Sequence, residues 1–350
     1  MVSWPLRPQC GPIGIDIGSR SVKLLQLRGD GSAVQEAVRR EVPPHDGGDP
    51  HARNLAIAEV IRRAGEGRRF RGRRAVLCLG GDDLFVQNIR VPPAQGEALQ
   101  QMVLAEAAGR VPFGEDAEVR FLEADDVRQG DGFRREVILL ACARAAVTRL
   151  MHIAEQAGLI PLAVDVVPTA MLRCYRRQFR RDEDRQQRAM FVNVGAAHTT
   201  VVIARGSEVL FVKNLDCGGE QLDEAVARNL GLELPKAASL RRHNGDRRSD
   251  QRDPEVTRSI AESIRPILER LTQELAMCLR YYSVTFRGQP LERLVLGGGE
   301  AGEPFVEWLG GRFDIPCELG NPLRSFSGNL PTGPAGQWDV AAGLALRAVR

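Results

Sequence analysis

One carboxylate stands inside an apolar stretch near the amino terminus: Asp16, in GPIGIDIGSRSVKLLQL (Gly11 to Leu27), between two isoleucines and just ahead of Gly18, Ser19 and Ser21. A charge in a strand patterned for burial is costly unless it has a task. The bend at Gly18 brings backbone N–H groups close to whatever lies in front of it, and it lacks the Cβ that would obstruct phosphate oxygens. Ser19 and Ser21 add hydroxyls. Asp16 would repel an anionic ligand unless a cation stood between them. Mg2+ takes oxygen ligands and keeps several waters, so one carboxylate holding such a water fits that role. Arginine has nearly displaced lysine, with only Lys23, Lys213 and Lys236 among the 48 basic residues. A retained lysine beside the bend points to a use for its compact ammonium.

A second bend repeats the first. In FVNVGAAHTTVVIARGSEVLFVKNL (Phe191 to Leu215), an offset of 177 residues places Asp16 on Asn193, Gly18 on Gly195, Leu24 on Val201, Arg28 on Arg205 and Gly29 on Gly206, without gaps. A repeat of half the chain implies two similar lobes, each presenting a hairpin bend. A third glycine site, Gly297, Gly298 and Gly299 in LERLVLGGGEAGEPFVEWLGGRF, follows a strand and precedes a helix. Its glycines would let the chain lie flat against a base and ribose, with a helix start nearby. Each bend alone is a common turn. The order hairpin, hairpin, strand–GGG–helix suits the gripping of a nucleotide between two lobes.

These bends need particular elements to hold them. Ile13, Ile15 and Ile17 alternate with Gly14, Asp16 and Gly18 at the period of a strand. Val22 to Leu27 return as a second strand, and AVQEAVRREV offers a third after RGDGS. No helix follows these glycines and no GK[ST] is present, so this is not a Walker loop. A helix is expected over Asn54 to Gly65, then a strand pair around GGDD (Ala75 to Val91). Residues 92–160 read as helix, two strands around RQGDG, and helix: an αββα insert, followed by the strand LIPLAVDVV. In the second half, CGGEQLDEAVARNLG begins a helix at Gly218 and Gly219, and RRHNGDRRSDQRD (Arg241 to Asp253) reads as a charged loop. A long amphipathic helix, kinked at Pro266, is expected over Pro254 to Tyr282. The closing QWDVAAGLALRAV reads as a helix whose small residues permit close packing.

Composition narrows the class. The 350 residues, 43% hydrophobic and 27% charged, are those of an ordinary globular protein long enough for two or more domains. The longest apolar runs are strand-sized, and the opening MVSWPLRPQC lacks the apolar core of a secretory signal. Seven scattered cysteines fit a reducing cytoplasm. A net charge of +3 gives no reason to expect nucleic acid. The basic run RRAGEGRRFRGRR (Arg62 to Arg74) reads as a solvated helix end and loop, the alternative being a contact with anionic lipid or protein.

GIDIGSRSVKLLQL, the hairpin at Asn193, VLGGGEAGEPFVEWLGGRFDIP and WDVAAGLAL together resemble the actin-like ATP-binding superfamily. More narrowly, GRVPF, AEQAGLIPLAVDVVPTAM, CGGEQLDEAVARNLGLELPKAASLRR and CLRYY resemble the PilM family, actin-like proteins of type IV pilus assembly akin to the cell-division protein FtsA. The resemblance implies an α/β actin-like fold, two RNase H-like lobes around a nucleotide cleft, with an FtsA-like αββα inserted subdomain. The expected division is residues 11–91 and 161–189 for the first core and 92–160 for the insert. Residues 190–217 and 290–350 would form the second core, and 218–289 a mostly helical subdomain.

The resemblance also implies ATP with Mg2+ as cofactors. Asp16, Gly18, Ser19, Ser21 and Lys23 match the first phosphate motif, Gly195 and Thr199 the second, and Gly297 to Gly299 the adenosine motif. Gly218 and Gly219 would line the nucleotide's other side, and Lys236 would reach the adenosine. Asp165, in AVDVV, is open between a cleft-facing catalytic role and a plain strand end. The implied partner is a PilN-like inner-membrane protein, whose short cytoplasmic tail would dock between the first core and the insert. Through it the chain would meet other pilus platform and motor components. The expected location is the inner face of the inner membrane, reached through partners, and self-association is left open. The superfamily's second motif usually opens with aspartate; Asn193 offers hydrogen bonds but no charge and no general base, so weak or absent hydrolysis is expected. His198, beside it, is expected at a solvated turn tip. The alternatives are a type II secretion or related pseudopilus component, or a sugar or acyl kinase of the same fold. The first would continue into a membrane helix, and the second calls for the missing aspartate.

Overall fold

The alternating isoleucines build the first sheet as their period requires. In a computed structural model describing residues 10–43, 48–179, 181–246 and 253–347, strands β1 (Cys10–Ile17), β2 (Ser21–Arg28) and β3 (Ala33–Glu41) form an antiparallel meander. Helix α1 (Pro50–Gly65) follows, capped by the Asp49 side chain, which accepts from the His51 and Ala52 amides. Strand β4 (Arg74–Leu79) then lies parallel to β1.

The chain leaves this sheet through the GGDD turn. β5 (Phe85–Val91) does not pair with β4, as the sequence led us to expect; it joins a separate sheet. After α2 (Gly96–Ala108), strands β6 (Ala117–Gln129) and β7 (Gly132–Ala143) complete that sheet in the order β5–β7–β6. Helix α3 (Arg144–Gln156) leads to β8 (Ile160–Val166), parallel to β4, then to α4 (Val167–Tyr175) and α5 (Asp182–Gln186).

The second lobe repeats the first. β9 (Arg188–Val194), β10 (Thr199–Arg205) and β11 (Glu208–Leu215) are again an antiparallel meander. Three helices follow, α6 (Gly219–Leu230), α7 (Leu234–Asp246) and α8 (Pro254–Thr285). Arg241 to Asp246, expected in a loop, belong to α7, and Pro266 lies within the assigned span of α8; residues 247–252 of that expected loop lie outside the described residues. Then come β12 (Arg293–Gly297), parallel to β9, α9 (Glu303–Gly310), β13 (Cys317–Leu319), β14 (Ser327–Gly328) and α10 (Asp339–Ala345).

The large sheets run β14–β3–β2–β1–β4–β8 and β11–β10–β9–β12–β13. Stripped of β14 they share one topology: a meander, then two strands parallel to its first. The offset of 177 holds in the pairing, since Asp16 faces Lys23 and Asn193 faces Thr200. It fails at the far turn, where the left-handed glycine is Gly31 in one lobe and Gly206 in the other.

Two contacts fix the lobes around their shared space. α10 returns from the chain's end to pack on β1 and α4. A Cβ on Gly14 would overlap the Ala341 carbonyl, and one on Gly343 the Ala170 carbonyl, so only glycine permits this approach. The three-stranded sheet leans on the second lobe as well: Asn88 donates to the Val212 carbonyl at 3.1 Å. Fully buried Glu136 accepts from Arg90 at 2.8 Å and from the Tyr281 hydroxyl of α8. Among the described residues, no helix is long and apolar enough to cross a membrane.

Candidate functional site

At the first bend, Gly18 N–H donates to the Ser21 carbonyl at 3.0 Å. Asp16 and Lys23 are cross-strand neighbours, and Lys23 Nζ donates to Asp16 Oδ2 at 2.8 Å. The carboxylate expected to anchor a cation and the ammonium expected to meet phosphate thus neutralise each other, in a charge-assisted bond with little solvent around it. Ser21 is buried at the start of β2. Ser19 Oγ is buried with no hydrogen-bond partner among the described residues, an orphaned hydroxyl in the bend itself.

At the second bend, Gly195 N–H donates to the His198 carbonyl at 2.9 Å, which is the first bend's closure again. Thr199, expected at phosphate, donates its hydroxyl to the Cys217 carbonyl at 2.7 Å. The start of α6 plugs this bend from behind: Gly219 N–H donates to the Gly195 carbonyl at 3.0 Å and Glu220 N–H to that of Ala196 at 2.8 Å. A Cβ on Gly218 would come 2.5 Å from the Ala196 oxygen. Gly218 and Gly219 therefore have a packing role that the sequence did not reveal.

Beneath the second bend lies a residue that the sequence reading missed. Asn193 Nδ2 donates to Asp339 Oδ2 at 2.7 Å, and the Val340 amide donates to Asp339 Oδ1 at 2.8 Å. Asp339 is 1% exposed. Burial pushes its pKa up to about 7, although the bonds from Asn193 and Val340 pull the other way; the charge of Asp16 raises it further and that of Lys23 lowers it. Four polar side chains, Asp16, Lys23, Asn193 and Asp339, thus share the floor between the lobes. The triple glycine meets this floor. A Cβ on Gly297 would stand 2.8 Å from Asp339 Oδ2, and Gly298, at φ +92°, would drive one into the backbone of Val194. Only Gly299 faces open space.

The bend tips cross the space between the lobes. Arg20, between Ser19 and Ser21, reaches Asp223 of α6 at 2.6 Å and Glu300, just past the triple glycine, at 2.9 Å. Arg241 of α7 binds the same two carboxylates at 2.6 and 2.7 Å. Lys236, expected to reach into the cleft from this region, is exposed on α7; Arg241 is the cation of that helix that turns inward. His198 is not a freely solvated turn tip. It packs on Gly81, with Nε2 2.5 Å from Asp82 and Nδ1 3.3 Å from Asp216.

Asp165 is tied to structure. Its Oδ1 accepts from the Val166 amide and the Thr169 hydroxyl at the start of α4, and Oδ2 faces Arg173 and Arg347 at 2.9 and 2.8 Å. Burial pushes its pKa up, but Arg173, Thr169, Val166 and Arg347 together hold it below the usual carboxylate value. A carboxylate so engaged ties the end of β8 to the first turn of α4.

The two bends fit the phosphates of a nucleotide. Neither glycine carries a Cβ, Ser19 Oγ has no partner, and the amides of Ser19, Arg20, Ala196 and Ala197 donate to no backbone carbonyl among the described residues.

Comparison with known proteins places this geometry. Residues 14–349 match the family described as type IV pilus assembly protein PilM. A solved structure described as a PilM-PilN type IV pilus biogenesis complex is similar at TM-score 0.79 and 26% identity, covering 98% of this chain and 100% of that one. The ethanolamine utilization protein EutJ from Carboxydothermus hydrogenoformans is similar in fold, at TM-score 0.57 and 14% identity over 98% of this chain and 91% of its own. So is a Bacteroides thetaiotaomicron protein of actin-like ATPase fold and unknown function, at TM-score 0.50 and 11% identity over 98% of both chains. The match spans both bends, the triple glycine and the closing helix, and the chain belongs to the PilM family of type IV pilus assembly proteins.

Proposed function

We propose that this chain is a nucleotide-binding scaffold of type IV pilus assembly that holds the cytoplasmic tail of a PilN-like inner-membrane protein. The observation that carries the reading is the end-to-end similarity, over 98% of this chain, to a protein solved in a PilM-PilN complex. The tail would dock as an extended peptide between the first sheet and the β5–β7–β6 sheet, with backbone pairing or apolar pockets supplying affinity. Membrane attachment would then be indirect, through that tail.

ATP with Mg2+ is the nucleotide that the bends suit. Gly18, Ser19 and Gly195 would hold the phosphates, with Asp16 directed at the cation through a water. Bound Mg2+ would supply positive charge to offset that of the phosphates. Lys23 keeps the Asp16 carboxylate in place, and the crossing side chains Arg20 and His198 make the angle between the lobes sensitive to what fills the cleft. Any coupling between nucleotide and tail must be reciprocal.

A synthetic peptide of a PilN-like protein's cytoplasmic tail, titrated against the full chain by fluorescence anisotropy, tests the reading. Saturable binding is expected, with hydrogen exchange slowed around β5, β7 and α3. No binding, or protection confined to α6–α8, would overturn it.

A further inference from the structure

The second bend carries an amide where the first carries a carboxylate, and that amide is not free to turn. The two ends of an asparagine side chain have nearly the same shape, so its surroundings decide which end points where. Here Nδ2 is committed to Asp339 Oδ2 at 2.7 Å, and Asp339 is itself fixed by the Val340 amide. Above about pH 7, where Asp339 is ionised, reversing the amide would set its oxygen against a charged oxygen, replacing a charge-assisted bond with a repulsion. Asn193 Oδ1 accepts no hydrogen bond among the described residues, and Asn193 keeps 9% of its surface exposed. Its counterpart in the repeat is Asp16, and Asp339 feels the charges of both Asp16 and Lys23.

We propose that Asp339 is a positioning residue of the second bend: it holds Asn193 so that Oδ1 faces the cleft, as a neutral oxygen acceptor for the water shell of a divalent cation. The inference rests on the nucleotide reading of the cleft and names this chain's own means of completing it. It also explains the residue at 193. An aspartate there would bring two carboxylates within hydrogen-bond distance in a buried place, where both cannot ionise. Asparagine avoids that conflict, and Gly297 leaves the space in which the Asp339 carboxylate sits.

The test uses the full chain at pH 8 and ATP as the probe, with calorimetry in the presence and absence of Mg2+. In the wild type, Mg2+ is expected to tighten ATP binding. In Asp339→Asn the metal-free affinity should persist while the tightening by Mg2+ falls about tenfold, as for other residues that orient a ligand from behind. Melting temperature provides a second readout. Asn193→Asp should melt well below the wild type, and Asn193→Asp/Asp339→Asn, which exchanges the two groups, should recover. A merely structural Asp339 would leave the Mg2+ dependence of a folded Asp339→Asn unchanged, which would overturn the proposal. So would a double variant no more stable than Asn193→Asp alone. Absence of ATP binding by the folded wild type would overturn the nucleotide reading and the proposal with it, whereas the two preceding results would leave that reading intact.

Discussion

The two bends are the same backbone with different chemistry beneath. Each closes through its glycine amide, at 3.0 Å to Ser21 in the first and 2.9 Å to His198 in the second. The first is self-sufficient: Asp16 and its cation Lys23 sit opposite each other on neighbouring strands. The second is not, because its amide is held by a carboxylate 146 residues away, on the last helix. A repeated fold therefore preserves register and hydrogen bonding while its polar groups are supplied by whichever element reaches the floor. In the first lobe that element is the hairpin itself; in the second it is α10, which packs on the first sheet and reaches across to Asn193.

The comparison breaks most completely where α10 is seated. Gly343→Ala would force a Cβ into the Ala170 carbonyl, and backbone cannot yield as a flexible side chain can. The expected loss is about 3 kcal/mol or more, at or above the top of the usual range for overpacking. Denaturant unfolding measures it, and a midpoint equal to the wild type's would show that the helix does not approach so closely.

How much of this was legible in sequence follows from distance along the chain. The period of Ile13, Ile15 and Ile17 is a local pattern and the 177-residue offset compares two such patterns; the sheets follow the period, and they follow the offset as far as the far turn. The pairing of β5 was not local. Two strands flanking a short turn usually pair, but Gly81–Asp83 form a helical turn that passes the chain to another sheet, whose central strand begins at Gly132. Asp339 was hidden because its sequence neighbours announced only a small-residue helix; its partner lies far away. Arg20 is one arginine in an arginine-rich chain, and nothing in its neighbours sets it apart. The charged run that begins at Arg241 reads as a loop, whereas α7 continues through it to Asp246.

The crossings between the lobes sharpen the comparison. Arg20 leaves the first bend for two buried carboxylates, Asp223 and Glu300. Arg20→Ala leaves both with Arg241 alone. A loss of about 2 kcal/mol is expected, less than for an isolated buried pair because one cation remains. Denaturant titration reads it, and a loss below 0.5 kcal/mol, the usual scatter of a surface change, would mean that Arg241 suffices.

A pH series separates the two floors. Asp339 has a folded pKa of about 7, against about 3.9 in an unfolded chain. The native state therefore holds the proton more tightly. The stability this contributes is complete below about pH 4 and is lost as pH rises through about 7. Asp339→Asn has no such proton, so its stability relative to the wild type should rise by about 1.4 kcal/mol per pH unit within that window, then level off. A flat difference would show that the buried carboxylate ionises as if in water.

The smallest effect belongs to the return crossing. His198 reaches Asp82 and Asp216, whose side chains are 79% and 95% exposed. Water and salt screen both partners, and an exposed pair contributes at most about 1 kcal/mol. His198→Ala should therefore cost about 0.5 kcal/mol, and whatever part of that cost is ionic should vanish in 1 M salt, where the screening length is only about 3 Å. Arg20→Ala, whose partners are buried, should keep most of its cost in the same salt. The pair of salt titrations compares the crossings under one condition. Equal salt dependence would mean that Asp223 and Glu300 are as wet as Asp82, and that the first bend does not reach a drier wall than the second.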